Sequence, residues 1–205
     1  MTTYTWPDTR DAAPRSAQWR VVDNLQRTSE SPLSGYTQTI SMPGARWGWT
    51  LEFGDHRSDL RQEVEAFLLR LSGREHRVSL WDFKRRVPRG TCNLSGVTLA
   101  ATAAQWATSV VLAGCGANKT LVAGDWIGLA TGQLVRAVSN ATADGAGVMT
   151  VEVRHMLRAA ASAGSAVTLD KPTALYVRTE SGLEMPRGPG RHEPGFAIDF
   201  VEVFA

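Results

Sequence analysis

The residues of this 205-residue chain best suited to chemistry are a run of cations, four histidines, two cysteines and one glycine-rich turn. From Arg70 to Arg89 seven basic residues (Arg70, Arg74, Arg77, Lys84, Arg85, Arg86, Arg89) stand against Glu75 and Asp82. Clustered positive charge neutralises phosphates, and Trp81 or Phe83 beside it would stack on bases. Three features count against that use. The aromatics fall on a strand where burial is expected, no nucleic-acid recognition motif accompanies them, and the net charge is only +2, from 22 Lys+Arg against 20 Asp+Glu. Sequence-specific nucleic-acid binding is therefore not expected. The competing expectations are a solvated rim and a subunit interface carried by Arg74, Arg77, Lys84, Arg85, Arg86 and Arg89, because arginine and aromatics are enriched where proteins meet.

GCGANKT (Gly114–Thr120) resembles a phosphate loop but has Ala113 and Asn118 where both structural glycines belong, so a β-turn is expected. None of His56, His76, His155 and His192 sits at HExxH spacing, and Pro194 after His192-Glu193 rules out a zinc-binding helix there. There is no GxSxG elbow and no cysteine–histidine signature. The reading is a protein without catalytic residues, cofactor or metal. Cys92 and Cys115 form no CxxC pair and are read as buried free thiols, with a disulfide between them left open.

The elements around these residues alternate strongly. Apolar content of 43% and charged content of 20% are ordinary for a globular chain, and this length needs no disulfide or metal to fold. No apolar signal core stands at the N-terminus and no run approaches 18 apolar residues, so neither secretion nor membrane insertion is expected. Residues 1–15, with Pro7 and Pro14, read as an extended arm apart from the packed elements. YTQTISM (36–42) and WGWTLEF (47–53) each alternate with period two, and Pro43-Gly44 between them suggests a hairpin. Trp47, Trp49 and Phe53 share the apolar face of the second strand.

SDLRQEVEAFLLRLSG predicts one amphipathic helix. Asp59 and Gln62 resemble a capping box, Leu60, Val64, Phe67, Leu68 and Leu71 form the stripe, and Gly73 suits a left-handed stop. HRVSLWDF follows as a strand, with Trp81 and Phe83 as candidate core. From Cys92 onward the chain is rich in Ala, Gly, Thr and Val. Short strands are expected in TSVVLAG, DWIGLA, QLVRAVS, VMTVEVR and TALYVRT, a spacing that favours a small β-sandwich or barrel. Asp144–Gly147 reads as a turn, and 155–160 as a helical turn at most, too short to assign as a helix. Trp106 and Trp126 are read first as core aromatics and second as a carbohydrate-binding platform. GFAIDFVEVFA alternates again, with Phe196 and Phe200 inward, and is expected to return to the N-terminal sheet.

The order of these pieces resembles one family. The pair WGWTLEF, the helix ending FLLRLSGREHR, LWDFKRRVPRGT, and the string LVAGDWIGLATGQLVRAVSNATADGAGVMTVEVRHMLRAA together look like the distal tail proteins of long-tailed bacteriophages. The resemblance extends over residues 16–205, and the last string recurs in several tail components. It implies a mainly β (α+β) protein: a split, tail-tube-like belt domain with one helix (16–91 and 180–205), and an inserted β-sandwich or barrel (92–179). It further implies a structural virion protein at the tail tip, made in the host cytoplasm. Six belts commonly form a ring, joined to the tail tube protein on one side and to hub and tape-measure proteins on the other. Contact of the insert with host surface glycan is the alternative it leaves.

Overall fold

The computed structural model describes residues 1–9, 12–22, 27–40, 44–54, 56–188 and 192–204, with the backbone alone at residues 27, 56–60 and 192. In chain order the first elements are β1 (Thr3–Thr5), β2 (Ser16–Val22), β3 (Arg27–Glu30), β4 (Thr37–Ile40), β5 (Arg46–Phe53), β6 (His56–Arg57), the helix α1 (Ser58–Arg70) and β7 (Arg77–Leu80). Next come β8 (Thr98–Leu99), β9 (Ser109–Ala113), β10 (Thr120–Leu121), β11 (Trp126–Leu129), β12 (Leu134–Ala137), β13 (Ala141–Thr142), β14 (Met149–Arg154) and β15 (Val167–Thr168). The chain ends with β16 (Ala174–Arg178), β17 (His192–Glu193) and β18 (Phe196–Glu202). The protein is mainly β, with α1 the one helix among the described residues.

The first sheet has the strand order β1-β7-β16-β18-β5-β2. Only β1–β7 is parallel; the other neighbours are antiparallel. Its centre follows from the alternation in WGWTLEF: Trp47, Trp49, Leu51 and Phe53 are all buried on one face. α1 lays Val64 and Leu68, and the turn after it Leu71, into the same core as Trp6, Leu80, Tyr176 and Phe200, with Phe67, Phe83 and Phe196 partly buried around them. Gly73, at φ +67°, carries the chain out of the helix where a side chain would meet the Ser181 carbonyl 2.8 Å away. Asp59 of the capping pair and the stripe residue Leu60 lie outside the described side chains, while Gln62 is exposed.

Three expectations change here. Residues 1–15 do not stand apart: β1 pairs with β7, and Trp6, 1% exposed, sits amid Phe53, Phe67, Phe83 and Phe200 with ring centroids 5.1–6.1 Å away. Pro7 does not prevent this, because it follows the strand. Among the described residues the expected hairpin of 36–42 with 47–53 does not form either, residues 41–43 lying outside them. β4 pairs with β3 in a separate ribbon whose β4 residues are all exposed, while β5 takes β2 on one side and β18 on the other. Alternation identifies faces but not partners, and β4 buries no face against β5. Finally, TALYVRT is not part of the middle β-structure. As β16 it lies between β7 and β18, so the chain rejoins the first sheet at Ala174, ahead of residue 180.

The middle of the chain forms a second six-stranded sheet, ordered β15-β11-β12-β14-β9-β8 and antiparallel throughout. Its two ends meet. Thr98 bridges Ala166, Leu99 N–H donates to the Ser165 carbonyl at 3.0 Å, and Val167 N–H donates to that of Val97 at 2.9 Å. The sheet is thus a nearly closed barrel, which leaves few unpaired edges. Its interior is filled by small and medium chains, among them Val110, Leu112, Leu121, Ile127, Val135, Val151 and Val153. The Ala- and Val-rich composition of this stretch suits so narrow a core. Residues 155–160 form no helix.

Candidate functional site

The basic run is the exit from the first sheet toward the barrel, and two buried or half-buried carboxylates organise it. Asp82 Oδ1 accepts the backbone N–H groups of Lys84 (2.9 Å) and Arg85 (3.1 Å), folding the chain back directly after β7. Its other oxygen accepts from Trp126 Nε1 on β11 at 3.0 Å. Asp125, 3% exposed, accepts the backbone N–H groups of Arg89 (2.8 Å), Gly90 (3.2 Å) and Val122 (2.8 Å). One carboxylate therefore shapes each end of the segment. Three charge-assisted bonds at one buried carboxylate satisfy its desolvation.

The six candidate interface cations divide. Arg86 pairs with Asp170 (3.5 Å) and Asp8 (3.7 Å), and Lys171 Nζ holds Asp8 at 2.6 Å while lying 3.7 Å from the Trp81 ring centroid. That contact with Lys171 keeps the Asp8 carboxyl below the usual carboxylate range. Arg89 donates its guanidinium to the Ala123 carbonyl at 2.7 Å. Arg77 is half-buried at the start of β7 and exposed Arg74 precedes it, so the length of β7 separates both from Lys84 and Arg85. Lys84 and Arg85 are exposed and make no side-chain hydrogen bond or ion pair among the described residues. Exposed Arg74 likewise makes none, so the free charge among the described residues lies in two places, Arg74 before β7 and the adjacent pair Lys84 and Arg85 after it.

The candidate core aromatics are placed as expected for Trp47, Trp49, Phe53, Trp81 and Phe200, all buried, and for Phe67, Phe83 and Phe196, partly buried. Trp126 is 4% exposed and faces the first sheet, so it offers no platform to a sugar. Its ring meets Trp47 edge-on at 4.8 Å and Trp19 at 6.3 Å. The Arg136 guanidinium lies over both Trp19 (4.4 Å) and Trp126 (4.9 Å). This explains the unbroken burial of β11: Ile127 and Leu129 fill the barrel while Trp126 fills the junction. Trp106 is the opposite case, 45% exposed in a turn at φ +68°.

A second polar link lies farther along the junction. Glu202 on β18, 1% exposed, accepts the Trp47 N–H at 2.9 Å and stands 3.7 Å from the Arg158 guanidinium of the barrel. Burial pushes its carboxyl up to about 7, against the pull of the Trp47 N–H, Arg158 and Arg46. Arg158 also donates to the Ala45 carbonyl and covers the Phe204 ring, and Trp47 Nε1 donates to the Leu134 carbonyl at 2.9 Å. Asp82, Asp125, Arg136, Arg158 and Glu202 were not singled out by sequence. The one signal was an aspartate two residues before Lys84 that fits a side-chain-capped turn.

Among the described residues no group of three or more His, Cys, Asp or Glu is arranged to hold a metal ion, and no helix is long and apolar enough to cross a membrane. No protein-family model and no curated protein matches the chain.

Proposed function

We propose that this protein is a non-catalytic structural component of a long-tailed phage tail tip, a ring subunit joining the tail tube to the hub. The observation that supports this reading is the chain order of the two sheets. The first is built from residues 3–80 and 174–202, and the barrel from residues 98–168 between them. That is the split-belt-plus-insert order expected from the resemblance. A closed ring of identical subunits needs two different complementary surfaces per subunit. Lys84 and Arg85, exposed beside the junction, supply charge for one of them. Native mass spectrometry and electron microscopy of the purified protein test the reading: hexamers or stacked rings are expected. A strictly monomeric protein that never joins purified tail tubes would overturn it.

A second reading, a glycan-binding barrel, rests on the exposed indole of Trp106. Glycan-array binding lost in Trp106→Ala would favour it, and a silent array would remove it.

A further inference from the structure

The exit segment does not end at Gly90. It continues as an extended stretch along the barrel, with Cys92 N–H donating to the Thr120 carbonyl and Asn93 N–H donating to the Cys115 carbonyl, each at 3.0 Å. The Asn93 side chain donates to the Gly114 carbonyl at 2.8 Å and accepts from Lys119 Nζ at 2.6 Å. This pairing brings two cysteines distant in sequence side by side into the same core, Cys92 5% exposed and Cys115 fully buried, both as free thiols.

We propose that Cys92 and Cys115 are a redox pair, oxidised by a peroxide to an intramolecular disulfide that fastens the exit segment to the barrel. Cys92 is the attacking residue. The neighbouring Cys115 and the nearby Lys119 ammonium hold the Cys92 thiol below the usual cysteine range, while Cys92 and burial push Cys115 up. Cys92 also carries what exposure the pair has. In the first step the Cys92 thiolate attacks one peroxide oxygen and the O–O bond breaks. The products are a sulfenic acid on Cys92 and a hydroxide that leaves as water. In the second step the Cys115 sulfur attacks the Cys92 sulfur, the S–O bond breaks, and the hydroxide leaves with the Cys115 proton as a second water. Two thiols and one hydrogen peroxide thus become one disulfide and two waters. The inference does not rest on the proposed function, since it needs only the folded chain.

The test treats the folded, full-length protein with a small excess of hydrogen peroxide, then alkylates free thiols in denaturant and measures intact mass and cross-linked peptides. The expected result is a monomer that has lost two hydrogens and both alkylatable thiols, with one Cys92–Cys115 linked peptide. Cys115→Ser, treated in the presence of dimedone, should carry the adduct on Cys92, whereas Cys92→Ser should carry none on Cys115. Two free thiols after treatment of the folded wild type, a disulfide that forms only in denaturant, or one that links separate chains would each overturn the proposal. The wild-type measurement decides the matter even where a serine variant fails to fold.

Discussion

Trp126 Nε1 donates to Asp82 Oδ2 across 3.0 Å, and this one bond ties a barrel strand to the turn that ends β7. The same aspartate holds the Lys84 and Arg85 amides, so a single side chain fixes both the barrel's seat and the direction of the basic run. Asp82→Ala leaves the Trp126 indole N–H and two backbone N–H groups without their acceptor, of which the indole is the most buried. A loss of about 1–3 kcal/mol is expected in urea denaturation. Trp126→Phe drops the donor and also shrinks a buried ring packed on Trp47, so it should cost at least as much. Wild-type stability in Asp82→Ala would show that the bond does not anchor the barrel.

Gly90 packs where a side chain has no room. A Cβ there would fall inside contact distance of the Thr120 carbonyl oxygen and 2.8 Å from the Leu121 Cα, both backbone atoms that cannot swing away. Gly90→Ala should therefore cost about 1–3 kcal/mol. The midpoint of thermal unfolding reports it, and an unchanged midpoint would mean the exit segment is not held against β10.

The N-terminal segment is expected to behave as core. Trp6 has four aromatic neighbours and donates Nε1 to the Ala12 carbonyl at 2.9 Å. Trp6→Ala should destabilise by roughly 3–5 kcal/mol, and removal of residues 1–8 by at least as much. A truncated chain as stable as the full one would contradict this packing.

Glu202 makes stability depend on pH in a direction opposite to that of a salt-bridged acid. Its carboxyl ordinarily titrates near 4.5 and is held near 7 in the folded chain. Between those values the folded protein keeps a proton that the unfolded chain has released. Stability from this group is fully present below about pH 4.5, falls as pH rises toward 7, and is flat above, by on the order of 3 kcal/mol. Glu202→Gln keeps an acceptor for the Trp47 N–H but cannot ionise. The difference in urea midpoint between variant and wild type should therefore grow in the variant's favour from pH 4.5 to pH 7.5. A constant difference across that range would remove the titration from Glu202.

Lys84 and Arg85 should matter for assembly and little for folding. Reversing both to glutamate is expected to change stability by less than about 0.5 kcal/mol, as for other unpaired surface charges. Under the proposed function it should abolish rings in native mass spectrometry. Intact rings from the double variant would take these two residues out of the interface.

Local pattern carried a good part of the fold. WGWTLEF shows its buried face outright, the apolar stripe of α1 and the turn after it is visible as Val64, Leu68 and Leu71, and the alternation of the last strand requires a partner. What stayed hidden depends on contacts between distant residues. Nothing in MTTYTWP distinguishes a short edge strand with a buried indole from an unpacked arm, because three residues are too few to show a period. Alternation in YTQTISM could not show that it lacks a core to face. β11 reads as a short apolar run because its two faces serve two different cores, the barrel and the junction. Asp82 and Asp125 look like ordinary turn aspartates until the backbone amides they accept, up to 36 residues away, are brought together.

β7 and β16 are direct neighbours, with Leu80 opposite Ala174, although residues 81–173 separate them in the chain. In topological terms the whole barrel is the turn of a hairpin, and its two ends enter and leave a few ångströms apart. The first sheet thus works as a socket. A different module whose ends lie close together would plug into the same two strands without disturbing the strand order. Its one obligation would be to bring its own apolar surface to cover Trp47, as Trp126 and Leu134 do now.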